Sequence, residues 1–258
     1  MDAGMKTAPP MGAGASFFYR RRRVLVCLVL ILSSLACWGL GRRLWAELLY
    51  KGAGADLREM RPRAALFRME KAVGLSPKEP AFWTRLGEAR HLMARTEPLH
   101  EGKKRVLAAK NAFETAFSLD PLDPEAAFRL AEEAALLERI SRDPGQKGEA
   151  PPGKARDLFE TALRLRPGSA RYHQAFTRYL GEKGDRPALA AAVAALVRVY
   201  PHAAKGLSKE PWWTPDLAGA VAGGLQAAVV SGRHGTDAEK ILSAFLEQQK
   251  APLAGETP

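Results

Sequence analysis

The sequence predicts an all-α chain: an α-solenoid of helical hairpins preceded by one N-terminal transmembrane helix. Three observations carry this. An uncharged apolar run of 18 residues, Val24–Gly41, stands directly behind four arginines, Arg20–Arg23. A spaced set of Ala, large apolar residue, Ala and Pro recurs between residues 65 and 167. No segment reads as a strand.

Eleven of the first 19 residues are Gly, Ala, Pro, Thr or Ser. Residues 1–23 are expected to be a disordered basic N-terminus. Residues 24–41 are just long enough to cross a hydrocarbon core of about 30 Å as a helix. Trp38 and Trp45 fall where interfacial aromatics anchor the far end, and Arg42 and Arg43 close the span. A retained signal anchor is the preferred reading. A cleaved signal peptide stays open, since Ser34-Leu35-Ala36 has small-x-small character. Lipidation at Cys37 also stays open, although Leu35 departs from a lipobox. The positive-inside rule favours an internal N-terminus and an exported C-terminal part, weakly, because Arg42, Arg43, Lys51 and Arg58 follow the span. The expected location is the inner (cytoplasmic) membrane, single-pass, with the C-terminal domain periplasmic or extracytoplasmic.

The charge supports a membrane partner over a nucleic acid. Residues 1–43 hold seven basic side chains against Asp2, a surplus of six, within a total of +11. The remaining residues carry 32 basic and 27 acidic side chains, only five in excess. Half of the surplus therefore flanks the apolar run, and no arginine-rich stripe with interleaved aromatics follows it. The two cysteines, Cys27 and Cys37, both lie inside that run, which excludes a disulfide scaffold and a cysteine zinc site in the folded part. Residues 42–59 are expected to be a juxtamembrane linker, with Gly52-Ala53-Gly54 as a hinge.

The repeat occupies residues 60–201. Its instances are Ala65, Met69, Ala72, Pro77; then Ala109, Phe113, Ala116, Pro121; then Ala155, Phe159, Ala162, Pro167. A degenerate fourth is Leu189, Val193, Leu196, Pro201. Positions i, i+4 and i+7 share one helix face. The alanines admit a neighbouring helix closely, the large residue fills the gap, and the proline stops the helix. A second apolar pattern follows each proline, as in Trp83, Leu86 and Gly87. Pro167 to Pro201 is 34 residues, whereas the two earlier intervals are 44 and 46. The excess is expected between helices, as inserts near 95–106 and 141–154, the second of them a Gly/Pro/Lys-rich surface loop. Residues 202–250 are expected to form capping helices over the solenoid end, one across Asp216–Val230 and one across Thr236–Lys250. Residues 251–258 are expected to be a disordered tail.

This pattern resembles the tetratricopeptide repeat (TPR), with its Trp-x2-Leu-Gly…Ala-x3-Phe-x2-Ala-x4-Pro signature over about 34 residues. The stretch Trp83-Thr84-Arg85-Leu86-Gly87 and the Ala/Phe/Ala/Pro sets carry the resemblance. It implies a concave groove lined by the first helix of each hairpin. In that register the groove residues are Thr84, Glu88, His91, Phe128, Glu132, Arg171, Gln174 and Arg178. Glu88 and Glu132 stand where the family's carboxylate clamps carry Asn, so a clamp for a chaperone tail is not expected. The groove is expected to grade from acidic to basic. Trp212-Trp213, after Pro211, is either an exposed aromatic anchor or a plug between the last repeat and the C-terminal helices.

No catalytic constellation stands out. There is no phosphate-binding glycine loop and no HExxH. The five histidines, His91, His100, His173, His202 and His234, are dispersed. The acid pairs Glu132-Glu133 and Asp120/Asp123 read as helix-face and turn-capping groups. The expectation is a non-enzymatic, membrane-anchored adaptor or scaffold for a protein partner at a bacterial-type cell envelope. Secretion, envelope assembly and polysaccharide export are the settings considered. No cofactor, metal, nucleic acid or small-molecule substrate is expected. The alternative is a self-associating structural subunit of a membrane complex without a peptide ligand.

Overall fold

The computed structural model describes residues 13–96, 99–141, 154–232 and 235–250. Helices make up every regular element among them. The first, α1, runs Ala13–Arg58. Then come α2 (Pro62–Leu75), α3 (Pro80–Thr96), α4 (Leu99–Leu119) and α5 (Pro124–Ser141). They are followed by α6 (Lys154–Leu165), α7 (Ala170–Lys183) and α8 (Arg186–Val199). A 3-10 turn at Pro201–Ala203 leads into the short α9 (Ala204–Leu207). A second turn at Pro215–Leu217 opens α10 (Ala218–Val230), and α11 (Gly235–Lys250) ends the described chain.

Local chemistry sets these boundaries. Proline opens α2 at its first turn, where its missing N–H costs nothing. The Asp123 carboxylate accepts from Glu125 N (2.9 Å) at the start of α5, and Asp120 accepts from Leu122 N (3.1 Å) in the turn before it. These acids are turn caps. Ser169 caps α7 and Asp185 caps α8, each accepting a backbone N–H. Gly184 ends α7 in the left-handed region (φ 74°), which a side chain resists.

Each helix packs on the next in order from α1 to α8, and α10 then takes the place beside α8, with α11 on α10. Serial contact of this kind is the geometry of a solenoid. The recurrent residues form its interior. Ala65, Met69, Ala72, Ala109, Phe113, Ala116, Ala155, Phe159, Ala162, Leu189, Val193 and Leu196 are all buried. Gly87 shows why small residues recur: a Cβ there would lie 2.6 Å from the Phe113 ring, so α3 and α4 approach through the missing side chain.

Three boundaries differ from expectation. Residues 13–23, expected to belong to a disordered N-terminus, are the first turns of α1. The segment 42–59 is no linker. It is the continuation of α1, and it packs on α2 as the first helix of the first hairpin. Ala46, Ala53 and Gly54 are buried, and Ala46 and Ala53 pack in one cluster with Ala65, Met69 and Ala72. The glycines that suggested a hinge lie within this helix, with the Arg68 side chain over Gly52 and the tips of Arg58 and Arg85 near Gly54. The hairpin array therefore starts inside α1. Likewise, most of the expected insert near 95–106 is helical: α3 reaches Thr96 and α4 starts at Leu99. α3 and α4 lengthen to 17 and 21 residues, against 14 each for α7 and α8. Met93 and Val106 are buried along the added turns, so the apolar register simply continues. The stretch 142–153 lies outside the described residues, as do residues 1–12 and 251–258.

Within α1, Leu25–Arg58 contains a window long and apolar enough to cross a membrane or to serve as a signal sequence, and none of that window is buried.

Candidate partner-binding groove

The first helices of successive hairpins are the C-terminal half of α1, then α3, α5 and α7. Their polar side chains are tied across the hairpins. Each of three arginines reaches back to the preceding first helix. Arg85 donates to the Tyr50 hydroxyl (3.1 Å), Arg129 to Glu88 (3.2 Å) and Arg171 to Glu125 (3.1 Å). Arg85 also binds Glu88 (3.2 Å), and Arg129 binds Glu125 (2.9 Å) and Glu132 (3.2 Å). Arg171 lies 3.8 Å from Glu132. The result is a ladder of alternating charge. The expected grading from acidic to basic is not present, because Glu88 and Glu132 are each neutralised by an arginine that sequence reasoning left out.

A signal for those arginines exists in the sequence. Arg85 and Arg129 are 44 positions apart, as are Glu88 and Glu132, and as are Pro77 and Pro121. The charge pairs repeat with the helices that carry them.

His91 on α3 bonds through Nδ1 to Glu133, which is buried on α5. That hydrogen bond raises the His91 pKa, against the opposing effect of burial. Glu132 is also raised, because burial outweighs Arg129 and Arg171. Tyr172 is pushed up to about 12 by burial and by Glu125, to which its hydroxyl donates (3.0 Å). Burial lowers His173, whose ring pairs with the Pro167 carbonyl (2.9 Å).

The His91 shift makes stability depend on pH. A pKa above the unfolded value of about 6.5 means that the folded state holds the proton more tightly. The stabilisation is full below about 6.5 and is lost as pH rises through the folded value. His91→Gln is therefore expected to shrink the drop in melting temperature between mildly acidic and mildly alkaline buffer. An undiminished drop contradicts this.

The expected groove residues fall into two places. Thr84, Glu88 and His91 lie in the region of α1, α3 and α5. A cavity of about 210 Å³ is lined there by Tyr50, Thr84, Arg85, Glu88 and Glu125. A neighbouring one of about 280 Å³ is lined by Arg58, Arg85, Glu88, His91, Arg129 and Glu133. Gln174 and Arg178 line a separate cavity of about 300 Å³ with Thr177, Tyr200, His202 and Trp212. Glu132 and Arg171 belong to the ladder. Phe128 is not a groove residue. It is fully buried, its ring stacked on Tyr172 at 4.3 Å with the Arg171 guanidinium 4.6 Å above it. An aromatic here meets the neighbouring α7 before it meets solvent.

Trp212 and Trp213 are half-buried against the main core, so neither is a free anchor. The indole of Trp212 occupies the space above Gly181, where any side chain would collide with it. Its other face borders the cavity shared with Arg178 and a further one of about 370 Å³ with Glu182, Glu210 and Pro211.

Among the described residues, no group of three or more His, Cys, Asp or Glu is placed to hold a metal ion. The side chains of His100 and His234 lie outside those described.

No family model matches this chain, and no curated protein matches it. Solved structures do. The crystal structure of MamA is 19% identical over 62% of this chain and 81% of that chain, with a TM-score of 0.49. TTC0263, described as a thermophilic TPR protein in Thermus thermophilus, is 18% identical over 78% and 99%, with a TM-score of 0.48. YrrB, described as a TPR protein with an unusual peptide-binding site, is 16% identical over 82% and 86%, with a TM-score of 0.45. With identities and TM-scores this low, the hairpin architecture rests on the chain's own helices: it is an all-α array of paired helices, similar to TPR proteins in their two-helix repeat.

Proposed function

We propose that this chain is a single-pass membrane protein whose helical-hairpin solenoid is a scaffold for a protein partner at a bacterial-type envelope. The observation that carries the reading is α1. One unbroken helix holds an apolar window with no residue buried, and its far end is the first helix of the solenoid. An apolar helical surface of that length, left bare in water, is costly, and a bilayer removes the cost. The partner site proposed is the surface of α3, α5 and α7, from the His91 cavity to the cavity at Arg178. Its ordered charges and open cavities suit an extended segment of mixed charge. No catalytic role is proposed. The C-terminal part is proposed to be extracytoplasmic.

Photo-crosslinking in native membranes tests the scaffold. With the probe at Arg178 and a control at the exposed Lys240 of α11, one dominant heterologous adduct is expected at Arg178 and none at Lys240. Its identity separates secretion, envelope assembly and polysaccharide export. Self-adducts, or equal labelling at both positions, would favour a self-associating subunit. Orientation is tested separately: protease added to intact spheroplasts is expected to degrade the solenoid. Protection until lysis would reverse the topology.

A further inference from the structure

The apolar surface of α1 does not stop where the arginines begin. Leu44, Trp45 and Leu48 are 66%, 58% and 60% exposed, one and two turns beyond Gly41. They stand opposite the face that carries Ala46 and Ala53 into the core. Cations flank this strip. Arg42 and Arg43 precede it and Lys51 follows it, all exposed. The Arg42 guanidinium donates to the carbonyl of Leu75, the last residue of α2 (3.1 Å). That bond holds the end of α2 at the level where the apolar run ends. The turn to α3, with exposed Pro77 and Lys78, starts from the same point.

Helix rise fixes the heights. At about 1.5 Å per residue, Leu44 to Leu48 stand roughly 5–10 Å beyond Gly41. The 18 apolar residues rise about 27 Å. A hydrocarbon core of about 30 Å therefore ends about 3 Å beyond Gly41, and a headgroup layer about 5–7 Å thick reaches to about 8–10 Å beyond it. The strip, the two arginines and the α2–α3 turn thus share one layer.

We propose that the first hairpin is seated in the lipid headgroups, building on the membrane-spanning reading above. Leu44 and Trp45 reach the acyl boundary and Leu48 lies among the headgroups, while Arg42, Arg43 and Lys78 meet lipid phosphates. The bilayer surface, not a second copy of the chain, is the occupant. The strip continues the bare apolar span without a gap. A two-fold copy placed over it would also bring Arg42 and Arg43 against like charges, whereas anionic phosphates complement them. Because α1 is unbroken, this seat gives the whole solenoid a fixed attitude, with its α2–α3 turn on the membrane.

The test uses the full chain, with Cys27 and Cys37 replaced by serine, in nanodiscs of phosphatidylethanolamine and phosphatidylglycerol. A single nitroxide is placed by Leu32→Cys, Leu48→Cys, Gly74→Cys or Glu160→Cys. Collision with oxygen and with an aqueous nickel chelate is then measured. The Leu32 label is expected in hydrocarbon. The labels at Leu48 and Gly74 are expected to collide with the chelate roughly threefold less than the label at Glu160, as suits a group in the interface. Arg43→Glu with Lys78→Glu is expected to raise chelate access at Gly74. Chelate access at Leu48 and Gly74 equal to that at Glu160, with Leu32 still in lipid, overturns this seat alone. Spin–spin coupling between copies labelled at Leu48 overturns it in favour of self-association. A water-exposed Leu32 instead overturns the membrane-spanning reading beneath it.

Discussion

Replacing Phe159 by alanine is expected to lower the unfolding free energy by about 3–5 kcal/mol, the usual cost of emptying a buried aromatic site. Phe159 is 2% exposed on α6, the second helix of the third hairpin. Its ring lies 6.0 Å from Phe128 on α5, and 5.7 and 5.5 Å from Phe176 and Tyr179 on α7. These are rings of different helices, held apart by backbone, so the neighbourhood has little freedom to collapse into the space. Aromatic pairs of this kind add roughly 0.5–1.5 kcal/mol beyond their buried area. Against a typical total of about 5–15 kcal/mol, the loss is large. Urea unfolding of the detergent-solubilised chain is expected to show a lower midpoint. Phe67→Ala is the control: Phe67 is 59% exposed on α2 with Lys71 over its ring, and a change within about 0.5 kcal/mol is expected. Equal effects at the two positions would contradict the assignment of the core.

Two glycines on neighbouring helices are expected to respond with opposite signs. Gly87→Val places a Cβ 2.6 Å from two atoms of the Phe113 ring and 2.8 Å from a third. Phe113 is itself 1% exposed, so it cannot swing away without disturbing its own neighbours. Overpacking of this kind costs about 1–3 kcal/mol, more where the backbone must shift. Gly74→Ala meets nothing within 4 Å on the exposed side of α2. There the gain of up to about 1 kcal/mol in helix propensity stands alone. Thermal melts followed by helical circular dichroism are expected to move down for Gly87→Val and up for Gly74→Ala. A stabilised Gly87→Val would show that α3 and α4 do not cross at that glycine.

The solenoid interior was legible because its chemistry is local. Ala109, Phe113 and Ala116 lie on one helix face by spacing alone, and Pro121 ends the helix whatever surrounds it. Two positions are ambiguous in the sequence because their residues have more than one physical use. Gly52 and Gly54 suit a hinge, yet a helix also tolerates them where its neighbours hold it; only the packing of α2 on Ala46 and Ala53 decides. Phe128 sits in a register position that the repeat assigns to the groove, yet the neighbouring Tyr172 provides a stacking surface that covers it. The ladder of Arg85, Arg129 and Arg171 is hidden in the sequence for a different reason. Long charged side chains pair across helices more than 40 residues apart, and the pairing shows in sequence only when charges are compared at the spacing of the prolines. The apolar run at Val24–Gly41 was plain, but its continuity with the solenoid was not, because Arg42 and Arg43 look like an end when they are a continuation.

That continuity is the central claim, and a distance measures it. With Cys27 and Cys37 replaced, nitroxides attached through Val29→Cys and Lys51→Cys in nanodiscs are separated by 22 positions on nearly the same face of α1. An unbroken helix predicts a narrow distribution centred near about 33 Å, from a rise of about 1.5 Å per residue. A broad distribution, or one centred well short of that value, would mean that the span and the solenoid are joined by a flexible or bent connection, and the account of a helix that is both anchor and first repeat would be wrong.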